Sequence, residues 1–387
     1  MKVKKININK ISTEKIICVL LLIPYFEPLL FKEYIFKTVD NMYSLFKIIG
    51  MFVVIIYFLK YNFLKQKISI CSCLILVMEL LLLFSTLINR GDIVKFLGPA
   101  VSIISLVLIT EVFFRKLKLD FLRISRNVIF ILTIINITFQ IIYPTGILPE
   151  VNFLGIDNRL VFFYIPMIFF SVVYDLLRKN KLSYFSYFLI GISLWSTISL
   201  WAVGGSLGLI IMLISVVLTN RVKLLSQISM MKLVTIDLVI NLLVVFLQVQ
   251  KYFENFIVNI LHKDITLTGR TYLWEWAIDL FQKSPVIGIG IQSDSYMYNI
   301  YRWVAHPHNV FLNYITTSGI IGLILYLIIL FRTAWISNRI KNVTVRVFSS
   351  LTVFVILFLS IADSLDCAAF YMIYVVINLI PTLKENR

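Results

Sequence analysis

The feature that most constrains this chain is a series of apolar stretches of about the length that crosses a lipid bilayer. They recur along the whole sequence, at residues 16–31, 44–59, 68–88, 93–114, 128–142, 160–177, 184–200, 203–218, 230–249, 309–331, 345–361 and 367–380. Because the bilayer core offers no partner for a free backbone group, stretches of this kind form helices. The sequence therefore predicts an all-α polytopic membrane protein with about 12 transmembrane helices.

The charged residues indicate how these helices are oriented. Only 14% of the residues are charged and 60% are hydrophobic, and a mean hydropathy of +0.92 is too high for a soluble core. A net charge of +16 can indicate a nucleic-acid partner, but most of the 36 Lys and Arg fall in alternate connections between spans. By the positive-inside rule we predict a multi-pass cell-membrane protein with both termini cytoplasmic and no nucleic-acid partner.

This topology makes residues 1–387 a single transmembrane domain with two long outer loops, a smaller one at 143–159 and a large one at 250–308. Loops of that length outside a membrane domain usually bind something. The turn at Trp201-Ala202-Val203 is the weakest point of the count, because one broken helix over 184–218 is the alternative to two spans. We count two, since losing this turn would spoil the charge alternation of every later connection.

The sequence lacks the motifs of several classes of protein. The four cysteines lie in or at the ends of apolar spans without metal-like spacing, which predicts packing rather than disulfides or zinc. No Walker loop or dinucleotide fingerprint is present in the sequence. We therefore expect no cofactor, and the free energy for any reaction must come from the substrate.

The residues that can carry chemistry concentrate between Thr268 and Gly322. The first part of this stretch predicts a short amphipathic helix lying flat on the membrane, with Trp274 and Phe281 on its apolar side. Arg270 falls in the first turn on the same side, so its guanidinium can reach a charged group at headgroup depth. An arginine that only snorkels to the interface is an equally good interpretation of this helix taken alone.

Four arginines lie on the predicted outer face, where the positive-inside rule leads us to expect few basic residues: Arg90, Arg159, Arg270 and Arg302. A guanidinium makes two-point contacts that suit a phosphate or diphosphate. The alternative is that each pairs locally with a nearby acid. For Arg90, which is next to Gly91-Asp92, we favour that alternative.

Two motifs of this stretch are similar to those of a known family. His308-Asn309, followed after nine residues by Gly319-Ile320-Ile321-Gly322, resembles the histidine signature of the O-antigen ligase and O-antigen or capsular polysaccharide polymerase superfamily. In the large external loop of that family, the arginine, tryptophan and glycine pattern is similar to Thr268-Gly269-Arg270, Trp274 and Pro285-Val286-Ile287-Gly288-Ile289-Gly290. The twelve spans, and a large loop between the ninth and the tenth, agree with it.

The resemblance implies a membrane-embedded glycosyltransferase with a GT-C-like helical fold. Such an enzyme takes an oligosaccharide from undecaprenyl diphosphate on the outer leaflet and transfers it to a sugar hydroxyl. Carried onto this chain, it implies that His308 and Arg270 are catalytic, with His308 the general base and Arg270 holding the donor diphosphate together with Arg159. The further candidate substrate-binding residues are Arg302, His306, Asn309 and Trp274. It also implies membrane lipids, a flippase and a chain-length regulator as partners.

Elementary chemistry supports the same roles. The leaving diphosphate gains negative charge as the anomeric bond breaks, so fixed positive charge lowers the barrier. Histidine accepts a hydroxyl proton near neutral pH. A catalyst of this type needs no metal, and we predict none. The competing interpretation, a metal held by His306 and His308, has no obvious third ligand beyond Asp294 or Glu275.

Three functions remain open from the sequence. We favour a polymerase that joins repeat units for O-antigen, capsular or exopolysaccharide synthesis over ligase-type transfer to another acceptor, because the external loops are less basic than those of the family's ligases. A transporter or flippase of lipid-linked sugars is the alternative from another class. It predicts related halves, and the first half holds no second copy of either motif.

Overall fold

The computed structural model describes residues 13–31, 37–63, 68–148, 151–218, 227–249, 252, 269–302, 304–361, 363 and 367–383. Both termini and Thr268 lie outside these ranges, as do 250, 251, 253–268 and 303 of the large loop expected at 250–308. Within the described residues the helices are α1 (Thr13–Leu22), α2 (Lys37–Phe58), α3 (Ile70–Ile88), α4 (Ile93–Leu117), α5 (Leu119–Ile142), α6 (Val161–Lys179), α7 (Tyr184–Ser199), α8 (Val203–Leu218), α9 (Met230–Asn241), α10 (Arg270–Lys283), α11 (Asp294–Tyr301), α12 (Val310–Ser337), α13 (Val343–Leu359) and α14 (Ala368–Leu379). A small hairpin, β1 (Val151–Asn152) and β2 (Gly155–Ile156), precedes α6.

The prediction of an all-α, multi-pass membrane protein is confirmed. Six described helices are long and apolar enough to cross a membrane by length and composition: Thr38–Asn62, Ile70–Ile88, Ile93–Leu117, Leu119–Ile142, Asp157–Lys179 and Val310–Ser337. Three shorter apolar helices are Val203–Val217, Val343–Leu359 and Ala368–Thr382. The count of twelve spans and the GT-C-like fold stay predictions.

Several expected spans differ from the helices that form. The first, 16–31, is not continuous, because α1 ends at Leu22 and a 3-10 turn containing Pro24 follows. Proline lacks the N–H that would continue the helix, which accounts for the break. In contrast, α4 and α5 run through the basic connection expected between 114 and 128 and leave only Lys118 between them.

The turn near Trp201 separates two helices. α7 ends at Ser199 and α8 begins at Val203, and the two pack against each other. Trp201 occupies the left-handed region (φ 55°), and Ala202 donates its N–H to the carbonyl of Thr197. The two halves of one broken helix would run on in roughly the same direction, whereas α7 and α8 pack against each other. The structure therefore favours two helices over one broken helix here.

α6 lies at the centre of the bundle. In the most apolar stretch of each helix, 89% of Asp157–Lys179 is buried inside the protein, whereas only 17% of Thr38–Asn62 is. It packs on α5, α7, α13 and α14, while α4 packs on α2, α3 and α14. The residues that lead into α6 are therefore attached to the most deeply buried helix of the protein.

α12 is broken at Gly319, which has φ 65° and ψ −164°. A break of this kind removes the two helical hydrogen bonds that would run from residues 320 and 321 back to 316 and 317. The segment 285–290, which precedes α11, replaces both sets of partners. The replacing backbone bonds are Ile289 N–H to Thr316 O (2.8 Å), Gly290 N–H to Thr317 O (3.0 Å), Ile320 N–H to Pro285 O (2.8 Å) and Ile321 N–H to Val286 O (3.4 Å).

Two glycines make this backbone contact possible. A Cβ on Gly288 would lie 2.5 Å from the backbone nitrogen of Ser318, and a Cβ on Gly319 would lie 2.3 Å from the carbonyl of Val286. Both glycines also have positive φ, where other residues are strained. Gly288 and Gly319, one from each sequence motif, therefore belong to one packing unit, which we call the glycine interlock (residues 285–290 and 316–321).

The end of α3 completes the glycine interlock. The Ser85 hydroxyl contacts the carbonyl oxygens of Ile287 (2.5 Å) and Thr317 (2.9 Å). The Asn89 amide donates to the Gly288 carbonyl (3.0 Å). Since these side chains satisfy carbonyls that neither helix nor strand uses, α3 holds both halves of the interlock in register.

We expect Gly288→Ala to destabilise the protein severely. The new methyl would clash with backbone atoms of residues 317–319, which cannot move without breaking the hydrogen bonds of the interlock. The left-handed conformation adds about 1–2 kcal/mol. Gly98→Ala is the matched control, because a Cβ there meets no atom within 4 Å and the site is helical. Yield and thermal unfolding of detergent-extracted protein measure the effect. Equal behaviour of the two variants would contradict the interlock.

Orientation is tested by cysteine labelling in a background that lacks the four native cysteines. Ser295, at the start of α11, and Lys118, between α4 and α5, are both exposed. The positive-inside rule places residue 118 in the cytoplasm and residue 295 outside. An impermeant maleimide should label Ser295→Cys in intact cells and Lys118→Cys only after permeabilisation. The reverse pattern would invert the topology.

Candidate active site

Three other segments of the chain converge on the loop before α12. This loop carries His306 and His308, and the connection after α13 brings Asp363 against them. Arg270 is the first residue of α10, and Arg159 lies in the 3-10 turn (Asp157–Leu160) that leads into α6. The structure thus brings together four of the sequence-predicted positions with one acid that the sequence analysis did not select.

His308 and Asp363 form the central contact of the site. The Nδ1 atom of His308 lies 3.1 Å from Oδ1 of Asp363, and both side chains are partly buried. His308 itself has a left-handed backbone (φ 50°), a conformation that costs free energy for a residue other than glycine. When Nδ1 carries the proton shared with the carboxylate, Nε2 is left to accept a proton from a substrate.

His306 packs against His308 and supports its backbone. The two ring centroids are 4.2 Å apart, and Nδ1 of His306 accepts the backbone N–H of His308 (3.3 Å). Burial lowers the pKa of His306 to about 4, with smaller contributions from the charges of His308, Arg159 and Lys95, while Asp363 opposes them. His306 is therefore neutral near pH 7 and orients its neighbour.

Positive charge surrounds the histidine and acid pair. Burial raises the pKa of the Asp363 carboxyl, but its hydrogen bond with His308 and the charges of His308, His306 and Arg159 outweigh burial, so the pKa lies below the ordinary value. Burial lowers the pKa of Arg270, and the nearby Asp363 carboxylate partly offsets this. The site is thus an ionised acid among cations, an arrangement that suits a polyanionic ligand.

Asn309 makes internal contacts that set the start of α12. Its Oδ1 accepts the N–H of Leu312 (3.0 Å), and its amide donates to Asn241 (2.9 Å) and to the carbonyl of Ile361 (3.2 Å). The side chain is only 1% exposed. These contacts cap the helix and hold neighbouring elements, so the structure places Asn309 behind the site and not on its surface.

Trp274 and the rest of α10 differ from the predicted membrane-surface helix. The apolar side of α10 packs on α11, α12 and Ile289, and Trp274 is fully buried there. An apolar face covered by protein has no need of lipid, which accounts for the difference. Trp274 was expected to bind substrate, whereas its position gives it a packing role that fixes the start of α10 and hence Arg270.

Arg302 lies apart from the histidines in the described contacts. It follows α11, is exposed, and its guanidinium lies 5.5 Å from the ring centroid of Trp276. Trp276 in turn stacks on Tyr272 of the same helix. The structure therefore assigns Arg302 to an exposed aromatic surface of α10, beside rather than within the cluster of charges.

Asp363 and Lys95 are the site residues that sequence analysis missed. Lys95, in the first turn of α4, contacts Asp294 (2.7 Å) and the carbonyl of Gln292 (2.9 Å), and its charge acts on His306. Asp363 stands 55 positions after His308, and no local spacing links them. The one available signal was an acid in a short outer connection of a face that has few carboxylates.

The geometry supplies the third metal ligand that the sequence analysis did not identify. Ligand atoms of His306, His308 and Asp363 all lie within 4.8 Å of one another. Two imidazoles and a carboxylate suit a transition-metal ion. The surrounding positive groups Arg159 and Lys95 oppose a bound cation and favour an anion. On these charges we keep the prediction of metal-independent chemistry.

Comparisons with known proteins agree with this site. The O-antigen ligase family matches residues 151–327, a range that includes Arg159, Arg270, His308 and the glycine interlock. Exopolysaccharide production protein ExoQ of Rhizobium meliloti (strain 1021) is 38% identical over 80 residues, which cover 18% of this chain and 18% of that relative. No solved structure matches the chain. Over residues 151–327 the chain is thus similar to the O-antigen ligase family, and a shorter stretch is similar to a protein named for exopolysaccharide production.

Proposed function

We propose that this protein is a polysaccharide polymerase, a membrane glycosyltransferase that joins undecaprenyl-diphosphate-linked oligosaccharide repeat units on the outer leaflet. The product would be an O-antigen, capsular polysaccharide or exopolysaccharide. The observation that carries the proposal is the 3.1 Å contact between His308 and Asp363, set among the charges of Arg159 and Arg270. A base next to an anion site is what transfer from a glycosyl diphosphate requires.

The reaction follows from these contacts. The acceptor sugar hydroxyl gives its proton to Nε2 of His308 as its oxygen forms a bond to the anomeric carbon of the donor. The bond from that carbon to the diphosphate oxygen breaks, and both bonding electrons leave with the diphosphate. Asp363 stabilises the imidazolium that forms. Arg270 and Arg159 stabilise the charge that develops on the leaving group.

The donor end of the site does not distinguish a polymerase from a ligase. Both would hold a lipid diphosphate in the same way and would differ only in the hydroxyl presented to His308. The matched family is described as O-antigen ligase, which supports ligase-type transfer to another acceptor as the second candidate. The relative named for exopolysaccharide production supports polymer formation, and we place polymerase first.

A transporter of lipid-linked sugars fits the same residues less well. A carrier needs to bind and release its cargo, but it has no step in which a hydroxyl loses a proton. The orientation of His308 by both Asp363 and His306 has no evident use in such a cycle. A flippase and a chain-length regulator are instead the proposed partners, the first supplying repeat units to the outer leaflet.

We predict that His308→Gln abolishes chain extension while the protein still accumulates in the membrane. Glutamine keeps hydrogen bonding and approximate size but has no titratable nitrogen, and loss of a general base costs about 10²- to 10⁴-fold. Single lipid-linked repeat units should then accumulate on the outer leaflet, where an impermeant oxidant reaches them in intact cells. Accumulation on the inner leaflet would instead support a transporter, and normal long polymer would remove His308 as the base.

A second prediction separates charge from shape at Arg270. Arg270→Lys keeps the positive charge but loses the planar two-point contact to a diphosphate. Loss of one hydrogen bond to a charged group, about 1.5–3 kcal/mol, corresponds to about 10- to 10²-fold less polymer. Arg90→Lys is the matched control, since Arg90 is exposed in the turn between α3 and α4. Equal effects at the two positions would remove the reason for assigning the diphosphate to Arg270.

A further inference from the structure

A buried polar chain runs from the middle of α9 to the loop that carries His308. Asn241 donates to a carboxylate oxygen of Asp237 (3.1 Å), and Asn309 donates to Oδ1 of Asn241 (2.9 Å). The three residues Asp237, Asn241 and Asn309 are 0%, 6% and 1% exposed, respectively. The chain therefore links a carboxyl in an expected membrane span to the residue that follows His308.

The same chain also reaches the connection that carries Asp363. The amide of Asn309 donates to the carbonyl of Ile361 (3.2 Å), and the N–H of Val310 donates to the carbonyl of Ser360 (3.2 Å). Ile361 is two residues before Asp363. Asn309 thus fixes the backbone on both sides of the contact between His308 and Asp363, and Asn241 fixes Asn309.

An acid at the position of Asp237 is expensive, because an ionisable group in a span loses the solvation of water. No ion pair to Asp237 is present among the described residues, and its Oδ1 makes no hydrogen bond there. Asn241 supplies the hydrogen bond that its other carboxylate oxygen accepts. A leucine at this position would cost less free energy to bury. The carboxyl of Asp237 is therefore better explained by its hydrogen bond with Asn241 than by a contribution to stability.

We propose that Asp237 and Asn241 are positioning residues that hold His308 and Asp363 in their reactive geometry. The proposal rests on the proposed function of that pair. Asp237 orients the Asn241 amide, whose oxygen then faces Asn309. The chain is a support and not a proton path, because the side-chain amides of Asn241 and Asn309 have no proton that they release near neutral pH.

The first test compares two substitutions of Asp237 in purified full-length enzyme, supplied with lipid-linked repeat units. Asp237→Leu removes the carboxylate that accepts from Asn241 and leaves only the backbone carbonyl of residue 237 as its acceptor there (3.1 Å). The looser Asn241 amide should misplace the reacting groups and lower kcat by about 10- to 10²-fold. KM should change little, since the arginines that would hold the donor are untouched. Asp237→Asn keeps an oxygen for Asn241 and should recover most of the loss. Asp237→Asn as slow as Asp237→Leu would overturn the proposal.

A double-mutant cycle separates positioning from general stability. When Asp363→Asn has already weakened the pair, adding Asp237→Leu should lower kcat much less than it does in the native enzyme. Asn378→Leu is the matched control, because Asn378 is a buried amide of α14 that bonds Thr333 (2.9 Å) and the Tyr374 carbonyl. It should lower thermal stability while kcat per folded molecule stays unchanged. If Asp237→Leu does not accumulate, Asn241→Ala, which breaks the same link, takes its place.

His308→Gln, measured in the same assay, distinguishes failure of the proposed function from failure of the positioning role. Full activity of His308→Gln contradicts the proposed function itself. An inactive His308→Gln together with an unchanged kcat in Asp237→Leu contradicts only the positioning role. Additive losses in the cycle with Asp363→Asn also contradict only the positioning role, since independent residues add in free energy and coupled ones do not.

Discussion

The structure of the site depends on the replacement of two helical hydrogen bonds of α12 by bonds to another segment of the backbone. A helix that breaks inside a membrane protein leaves backbone groups that neither lipid nor water can satisfy, at several kcal/mol each. At Gly319 both lost bonds are replaced by the segment 285–290, which supplies two carbonyls and two N–H groups. This segment leads into α11, and the residues after α11 carry His306 and His308. The break therefore connects the large loop to the bundle at a fixed position.

Each charged group of the site partly offsets the charge of its neighbours. Asp363 balances the positive potential of Arg159 and Arg270 when no substrate is bound, and it contacts His308 at the same time. A diphosphate entering the site would neutralise the arginines and leave Asp363 to the imidazole. Under the proposed function the acid would thus act both with and without substrate, which would account for a carboxylate at the centre of a basic site.

Much of the fold and part of the site could be predicted from the sequence. Hydropathy alone predicts the helices, because apolar length is a local property, and the motifs predicted His308 and Arg270 from their spacing. The structure confirms the helical membrane architecture and brings His308, His306, Arg270 and Arg159 together, while their roles stay predictions. The first expected span is interrupted at Pro24, which cannot donate a helical hydrogen bond, although the apolar composition continues past this residue.

The remainder depends on contacts between distant parts of the chain. Asp363 reaches His308 only because α13 returns the chain to the start of α12, and no period or motif records that return. The helix of Trp274 was predicted to lie on the membrane because amphipathicity shows that a face is covered but not what covers it; the cover is α11 and α12. Asp237 is, in the sequence, a buried polar residue of unknown partner, and Asn241 and Asn309 connect it to the site only in the folded chain. For Trp274 and Asp237 the local pattern shows a side chain whose burial needs a partner, and only the tertiary structure shows which group meets that need. For Asp363 the tertiary structure alone shows that it belongs to the site.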